Sequence, residues 1–194
     1  MYVAITGSIG CGKTTISNIL RKQGFIVNDI DGWCRELYYR DDFLEVIKKH
    51  FPESFIDNKF NKRVLRNLVF DNVKKLRVLE SIIHPYLTKR LLDSVYDYSG
   101  EEIIFTDVAL LYEMGWDIYF DFVVLADVDY DTQKQRVMQR DGISAEDFDK
   151  INNIQMKREN KLDKVDVIID TSCSEEELEK VIKKLVKDIK KWKH

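Results

Sequence analysis

The feature that most constrains this chain begins six residues after the first methionine of its 194-residue sequence. The short apolar run "YVAIT" (2–6) leads directly into "GSIGCGKTT". Gly7, Ser8, Ile9, Gly10, Cys11, Gly12, Lys13 and Thr14 satisfy G-x-x-x-x-G-K-[ST] without a mismatch. A phosphate chain needs closely packed donors, and glycine lets backbone N–H groups approach that near and turn that tightly. The helix that follows adds the positive end of its dipole. Lys13 is suited to the β- and γ-oxygens and the Thr14 hydroxyl to Mg²⁺, with Thr15 completing the nucleotide-side set. A strand, a glycine loop and a helix in this order predict an ATP site. They leave open whether the γ-phosphate goes to water, to an acceptor or works a switch.

The rest of the chain repeats the strand-then-stop profile. "FIVNDID" after Gly24, a plausible helix C-cap, reads as a second strand with two carboxylates at its end. "EIIFTD" (102–107), "DFVVLAD" (121–127) and "VDVIID" (165–170) read as three more. Continuous apolar runs of this length are the pattern of strands buried on both faces, and helical periodicity fills the segments between them. The alternation predicts an α/β fold: a P-loop NTPase-type parallel five-stranded sheet flanked by helices. Residues 33–98 break the rhythm and read as a helical insertion, interrupted by a turn at "SFIDNKFN". "SAEDFDKINNIQMKREN" reads as one further polar helical stretch. Ser174, with Glu177 three residues on, forms a capping box for the last helix.

Composition excludes several classes. Hydrophobic residues at 44% with 34% charged are ordinary for a globular protein and far from disorder. Lys+Arg 31 against Asp+Glu 34 gives a formal charge of −3, so no global basic field attracts nucleic acid. Three widely spaced cysteines form neither a disulfide framework nor a metal pair, which points to a reducing, cytoplasmic setting. A strand starting directly after Met1 leaves no room for a signal peptide, and the apolar runs are too short to cross a bilayer.

In parallel sheets of this kind ligands sit beyond the carboxyl ends of the strands. Asp29 and Asp31 close the second expected strand, and alternation puts both on one side. One is a candidate base for an acceptor hydroxyl; strand-end solvation or helix capping is the other reading. Arg136 and Arg140 share a helical face at i, i+4 spacing, suited to clamping phosphoryl oxygens or to lying solvated beside Asp141. Asp107 ends a strand where a carboxylate for the Mg²⁺ shell belongs. Cys11 also has two readings: a thiol made reactive by Lys13 and the helix start, or a small residue filling the loop. Asn160-Lys161-Leu162-Asp163 spells the guanine-reading N-K-x-D, but its upstream segment is polar and helical rather than a buried strand. The D-x-x-G at Asp97–Gly100 precedes a strand instead of following one. A GTPase switch is excluded on that context.

Taken as an ordered set, these segments resemble the dephospho-coenzyme A kinase family to about residue 171. "VAITGSIGCGKTTISNIL", "GFIVNDIDGWCREL", the His84-Pro85 pair, "DVALLYE", "TQKQRVMQRDGIS" and "IQMKRENKLDKVDVIID" carry the resemblance. It implies transfer of the ATP γ-phosphate to the ribose 3′-hydroxyl of dephospho-coenzyme A. Asp31 is then the base, and Arg140 reaches the nucleotide from a lid. Asp29, Arg35, Lys62, His84, Leu111 and Glu113 fall on the substrate side, while Lys13, Arg136 and the loop hold ATP. The resemblance also implies a core of residues 1–32, 99–135 and 162–194, an acceptor subdomain over 33–98 and a lid over 136–161. The expected state is a monomer or weak homo-oligomer, with no nucleic-acid or membrane partner. Ala109 replaces the family's proline, Thr171 its asparagine, and Lys62 stands where an arginine is usual.

Overall fold

The computed structural model describes residues 1–70, 72–96 and 103–192. Glu102, the first residue of the third expected strand, and the Asp97–Gly100 tetrapeptide lie outside the described residues. The elements run β1 (Tyr2–Thr6), α1 (Lys13–Lys22), β2 (Ile26–Asp29), α2 (Ile30–Leu37), α3 (Asp41–His50), β3 (Phe55–Ile56) and β4 (Lys59–Phe60). There follow α4 (Lys62–Phe70), α5 (Val73–Tyr96), β5 (Ile104–Asp107), β6 (Phe122–Asp127) and α6 (Tyr130–Asp141). The chain then forms α7 (Ala145–Ile154), α8 (Arg158–Leu162), β7 (Val167–Asp170) and α9 (Glu175–Trp192). It divides into two compact units, Met1–Asp29 with Ser99–His194, and Ile30–Tyr98.

The first unit is the expected parallel sheet, with strand order β2-β5-β1-β6-β7. β1 is central, and its Val3, Ala4 and Ile5 are wholly buried. Continuous apolar sequence is what a strand covered on both faces requires. α1 places Ile16, Ile19 and Leu20 in the core at helical spacing. Its end is closed by Gly24 at φ +86, with Gly24 N–H donating to Arg21 O and Phe25 N–H to Leu20 O. That pair of bonds is a Schellman stop. α9 buries Leu178, Ile182, Leu185, Val186 and Ile189 along one stripe. Each such side chain contributes about 1.5–3 kcal/mol through burial. Its capping box is present: Ser174 N–H donates to Glu177 Oε2 at 3.0 Å, and Glu177 N–H to Ser174 Oγ at 3.3 Å.

Two expectations are corrected in the first unit and at its boundary. The second strand stops at Asp29, and Asp31 is already in α2, so strand alternation does not relate the two carboxylates. The reason is the spacing of Ile30, Trp33 and Leu37, which are buried at helical intervals from Ile30 onward. The polar stretch 144–160 is two helices rather than one, with extended backbone at Gln155 and Lys157.

The second unit is helical, with α5 running unbroken through Pro85. The "SFIDNKFN" turn is a small hairpin, β3 against β4. Asp57 and Asn58 turn it at φ 48 and 60, the left-handed pair that a two-residue hairpin demands. Arg90 Nη1 donates to Glu36 Oε2 at 2.5 Å, and its guanidinium lies 4.6 Å from the Trp33 ring centre.

Candidate functional site

The glycine loop joins the end of β1 to α1. Gly12 directly precedes the helix at φ +90, and Gly10 stands at φ +78. A Cβ on Gly10 would meet Val137 Cγ2 at 2.7 Å and the Gln133 carbonyl at 2.9 Å. The loop is therefore pressed against α6, and glycine is required for closeness as well as for φ. Lys13 curls back so that Nζ donates to Gly7 O at 2.8 Å and Ser8 O at 3.3 Å.

A cavity of about 420 Å³ opens over the loop, and it gathers the nucleotide-side candidates. Gly10, Gly12, Lys13, Thr14, Thr15, Arg136 and Arg140 line it, joined by Thr171, Cys173, Glu175 and Leu178. The i, i+4 spacing on α6 does bring both arginines to one face. Their present partners differ. Arg136 donates to the hydroxyl and carbonyl of Thr171, at 3.2 and 2.8 Å. Arg140 forks onto Asp141, with both bonds at 2.8 Å. That pair raises the arginine's pKa chiefly through the hydrogen bonds and holds the Asp141 carboxyl low.

Thr171, one residue past β7, also donates to Cys11 O at 2.8 Å, tying the sheet's edge to the loop. Cys11 itself is 1% exposed and packs in the core under the loop. Burial pushes its thiol up, and Lys13 offsets this only in part. Of the two readings of Cys11, this burial favours the small residue filling the loop.

Beyond the strand ends, Asp29 and Asp107 are register partners on β2 and β5. Asp107 Oδ2 accepts from Ser17 Oγ at 3.0 Å, which links the β5 carboxylate to α1. Among the described residues there is no cluster of three or more His, Cys, Asp or Glu side chains able to hold a metal. The donor set nevertheless suits Mg²⁺, which takes one or two carboxylates and a hydroxyl alongside substrate phosphates instead of a protein cage.

The remaining candidates have varied surroundings. Leu111 is wholly buried, so its side chain is core and not a contact surface for a substrate. Glu113 accepts from Met156 N–H at 2.5 Å and pairs with Lys161 at 3.7 Å. Asp31 and Arg35 lie on α2, in its first and last turns. Lys62, first in α4, holds its ammonium 5.0 Å from the Tyr38 ring centre. His84 is in mid-α5, its pKa lowered by burial with Glu80 opposing. Arg158 forks onto Asp127 at 2.8 and 2.6 Å, which fixes α8 to the end of β6.

Sequence reasoning missed two residues. Gln155 breaks the expected helix, and its Oε1 accepts from Ile9 N–H in the loop at 2.8 Å. Lys161, set aside with the false N-K-x-D, is 1% exposed beside Glu113. The signal for Gln155 was its place in a motif; for Lys161 there was only an unexpected charge in a segment that buries one face.

Comparison with known proteins follows the same lines. A sequence model of the dephospho-CoA kinase family matches residues 1–177. A dephospho-CoA kinase from Bartonella henselae is 33% identical over 193 residues, covering 96% of this chain and 98% of that protein. The crystal structure of a Thermus thermophilus protein superposes with a TM-score of 0.84 at 29% identity, covering 97% of each chain. A dephospho-CoA kinase structure from Campylobacter jejuni gives a TM-score of 0.72 at 25% identity, over 100% of this chain and 98% of that one.

Proposed function

The chain belongs to the dephospho-CoA kinase family, and on that premise we propose how its residues divide the phosphorylation of dephospho-CoA. The enzyme is a phosphotransferase that converts ATP and dephospho-CoA to ADP and CoA. The observation that carries the assignment of roles is the single cavity joining Lys13 and Thr14 to Arg136 and Arg140.

Phosphoryl transfer asks for positioning and charge stabilisation more than for covalent chemistry. The loop amides of Gly7, Gly10, Cys11 and Gly12 cradle the β-phosphate region, with Thr15 at the helix start. Lys13 leaves the Gly7 and Ser8 carbonyls for the β- and γ-oxygens, exchanging neutral acceptors for charged ones. Arg140 leaves Asp141 to cover charge on the transferred group, and Arg136 orients the nucleotide from its anchorage on Thr171. Thr14 and Asp107 would hold Mg²⁺, which when bound neutralises charge on the phosphates.

On the acceptor side, Asp31 takes the proton of the ribose 3′-hydroxyl as its oxygen attacks the γ-phosphorus. The bond from that phosphorus to the β,γ-bridging oxygen breaks, and ADP leaves with the electron pair. Asp29, Arg35, Lys62, His84 and Glu113 bind or orient the acceptor. Leu111 supports that surface from the core. This division gives a core of 1–32, 99–135 and 162–194, an acceptor part of 33–98, and a lid of 136–161 that excludes water. Among the described residues, no helix is long and apolar enough to cross a membrane. Free thiols at Cys11, Cys34 and Cys173 support a cytoplasmic setting, and a monomer or weak homo-oligomer fits the reading.

Coupled turnover with dephospho-CoA, set beside a panel of nucleosides, tests the assignment; equal or better rates on nucleosides would overturn it. Asp31→Asn is expected to lower kcat by about 10²–10⁴ while ATP affinity holds. Unchanged kcat would remove Asp31 from the role of base.

A further inference from the structure

Among the described residues, Thr6 Oγ1, Gln23 Nε2 and Lys161 Nζ are buried without a hydrogen-bond partner, and Lys161 is the charged one of the three. It is 1% exposed, yet its ammonium makes no hydrogen bond. Its ion-pair partner, Glu113 Oε1, stands 3.7 Å away and already accepts the Met156 N–H. A buried ammonium left with three donors unused is costly to fold around. Neither the strand ladder nor the core packing requires a lysine there.

Its position relative to the loop gives the cost a purpose. The mapped cavity follows Gly12, Lys13, Thr14 and Thr15 toward Thr171 and Cys173, beyond β7. That is the end of the loop where the helix starts, and Arg136 and Arg140 line the cavity there. Lys161 belongs to the segment held at the opposite end, where Gln155 accepts from Ile9 N–H. Arg158, three residues before Lys161, locks the same segment to Asp127. Lys161 and Lys13 are close enough to repel, and the Lys161 charge also reaches Cys11 within the loop. Two ammonium groups that repel beside a phosphate loop are relieved by an anion that both can bind.

We infer that Lys161 is a second phosphate-binding lysine, whose ammonium takes the terminal phosphoryl group of ATP while Lys13 spans the β- and γ-oxygens. Glu113 holds the Lys161 side chain in place without meeting its hydrogen-bonding need. The lysine donates hydrogen bonds and transfers no proton, so the acceptor's proton still goes to the base. This role rests on the kinase reading above, and it deepens that reading by adding a γ-phosphate contact from α8.

Binding of ADP and of a non-hydrolysable β,γ-imido ATP analogue, each with Mg²⁺, tests it by calorimetry on the full chain. In Lys161→Met, ADP affinity should stay within about twofold, while analogue affinity falls about tenfold or more. That is the loss expected for one charged hydrogen bond to the γ-phosphate. Turnover should fall by roughly 10²–10³, as for loss of one donor to developing charge. A variant that keeps the wild-type discrimination between analogue and ADP overturns the inference, whatever its turnover. Equal weakening of both nucleotides does so too, since a merely structural lysine would act that way. Should Lys161→Met fail to fold alone, the same comparison is made for Lys161→Met in a Glu113→Gln background, with Glu113→Gln as reference. Wild-type turnover of dephospho-CoA is measured in parallel; its absence would remove the kinase reading without touching the binding result.

Discussion

Arg136 grips Thr171 at two points, its Nη1 donating to the hydroxyl at 3.2 Å and its Nη2 to the carbonyl at 2.8 Å. The same hydroxyl donates to Cys11 O at 2.8 Å. One threonine thus connects the cavity's first arginine, the end of β7 and the phosphate loop.

Thr171→Val keeps the shape and removes the hydroxyl. Thr171 is 4% exposed, so Cys11 O and one arginine nitrogen lose a partner in a nearly dry place. The expected cost is about 1–3 kcal/mol of stability, together with a higher KM for ATP as Arg136 loosens. Thr171→Ser should stay near wild type in both. Urea denaturation with ATP titration checks this, and a valine variant as stable as the serine one would count against the linkage.

Gly10→Ala tests the closeness of the loop and α6. At φ +78 an L side chain is strained, and the added Cβ would lie 2.7 Å from Val137 Cγ2 and 2.9 Å from a backbone carbonyl. The side chain can give way, but the carbonyl of Gln133 cannot without moving α6. The variant should fold with a loss of about 1–3 kcal/mol and bind ATP at least roughly tenfold more weakly. Retention of full ATP affinity by calorimetry would mean that the loop and α6 are not coupled in this way.

The sheet was legible because parallel strands buried on both faces write themselves as apolar runs, and all five expected runs are strands. The phosphate loop was legible because its glycines answer to backbone geometry alone. Asp31 was misassigned to a strand because a four-residue strand and the first turn of a helix look alike at that length. The helical period of Ile30, Trp33 and Leu37 was the better guide. Gln155 and Thr171 were present in motifs, but their tasks depend on contacts across 146 and 160 residues, respectively. Lys161 was hidden most fully, because a lysine in a polar segment is ordinarily solvated and nothing local marks one that is buried.

Arg140 now holds Asp141, and both side chains are substantially exposed, at 59% and 36%. Such a pair stabilises the fold little, so Arg140→Ala should change unfolding free energy by about 0.5 kcal/mol or less. Its effect on turnover should be far larger, a fall in kcat of roughly 10²–10³. Arg140→Lys should restore little, since an ammonium does not reproduce the guanidinium fork. Steady-state kinetics beside thermal melts separates the two effects. A kcat within twofold of wild type for the alanine variant would return Arg140 to the role of a solvated helix residue.

The capping box of α9 supplies a pH test whose sign is set by its bonds. Glu177 accepts from Ser174 Oγ at 2.7 Å and from Ser174 N–H at 3.0 Å, and these bonds hold its carboxyl below the ordinary 4.5. Between its folded value and 4.5 the unfolded chain binds more protons at this site, so stability rises with pH across that window. The contribution is complete above 4.5 and is lost as pH falls through the folded value. Glu177→Gln can still accept a hydrogen bond but cannot titrate. Wild type should therefore be the more stable of the two at neutral pH, and the difference should shrink on acidification below 4.5. Urea denaturation of both proteins at pH 7 and through the acid range measures that difference. A gap that stays constant with pH would assign the cap to the serine hydroxyl alone, with the charge on Glu177 contributing nothing.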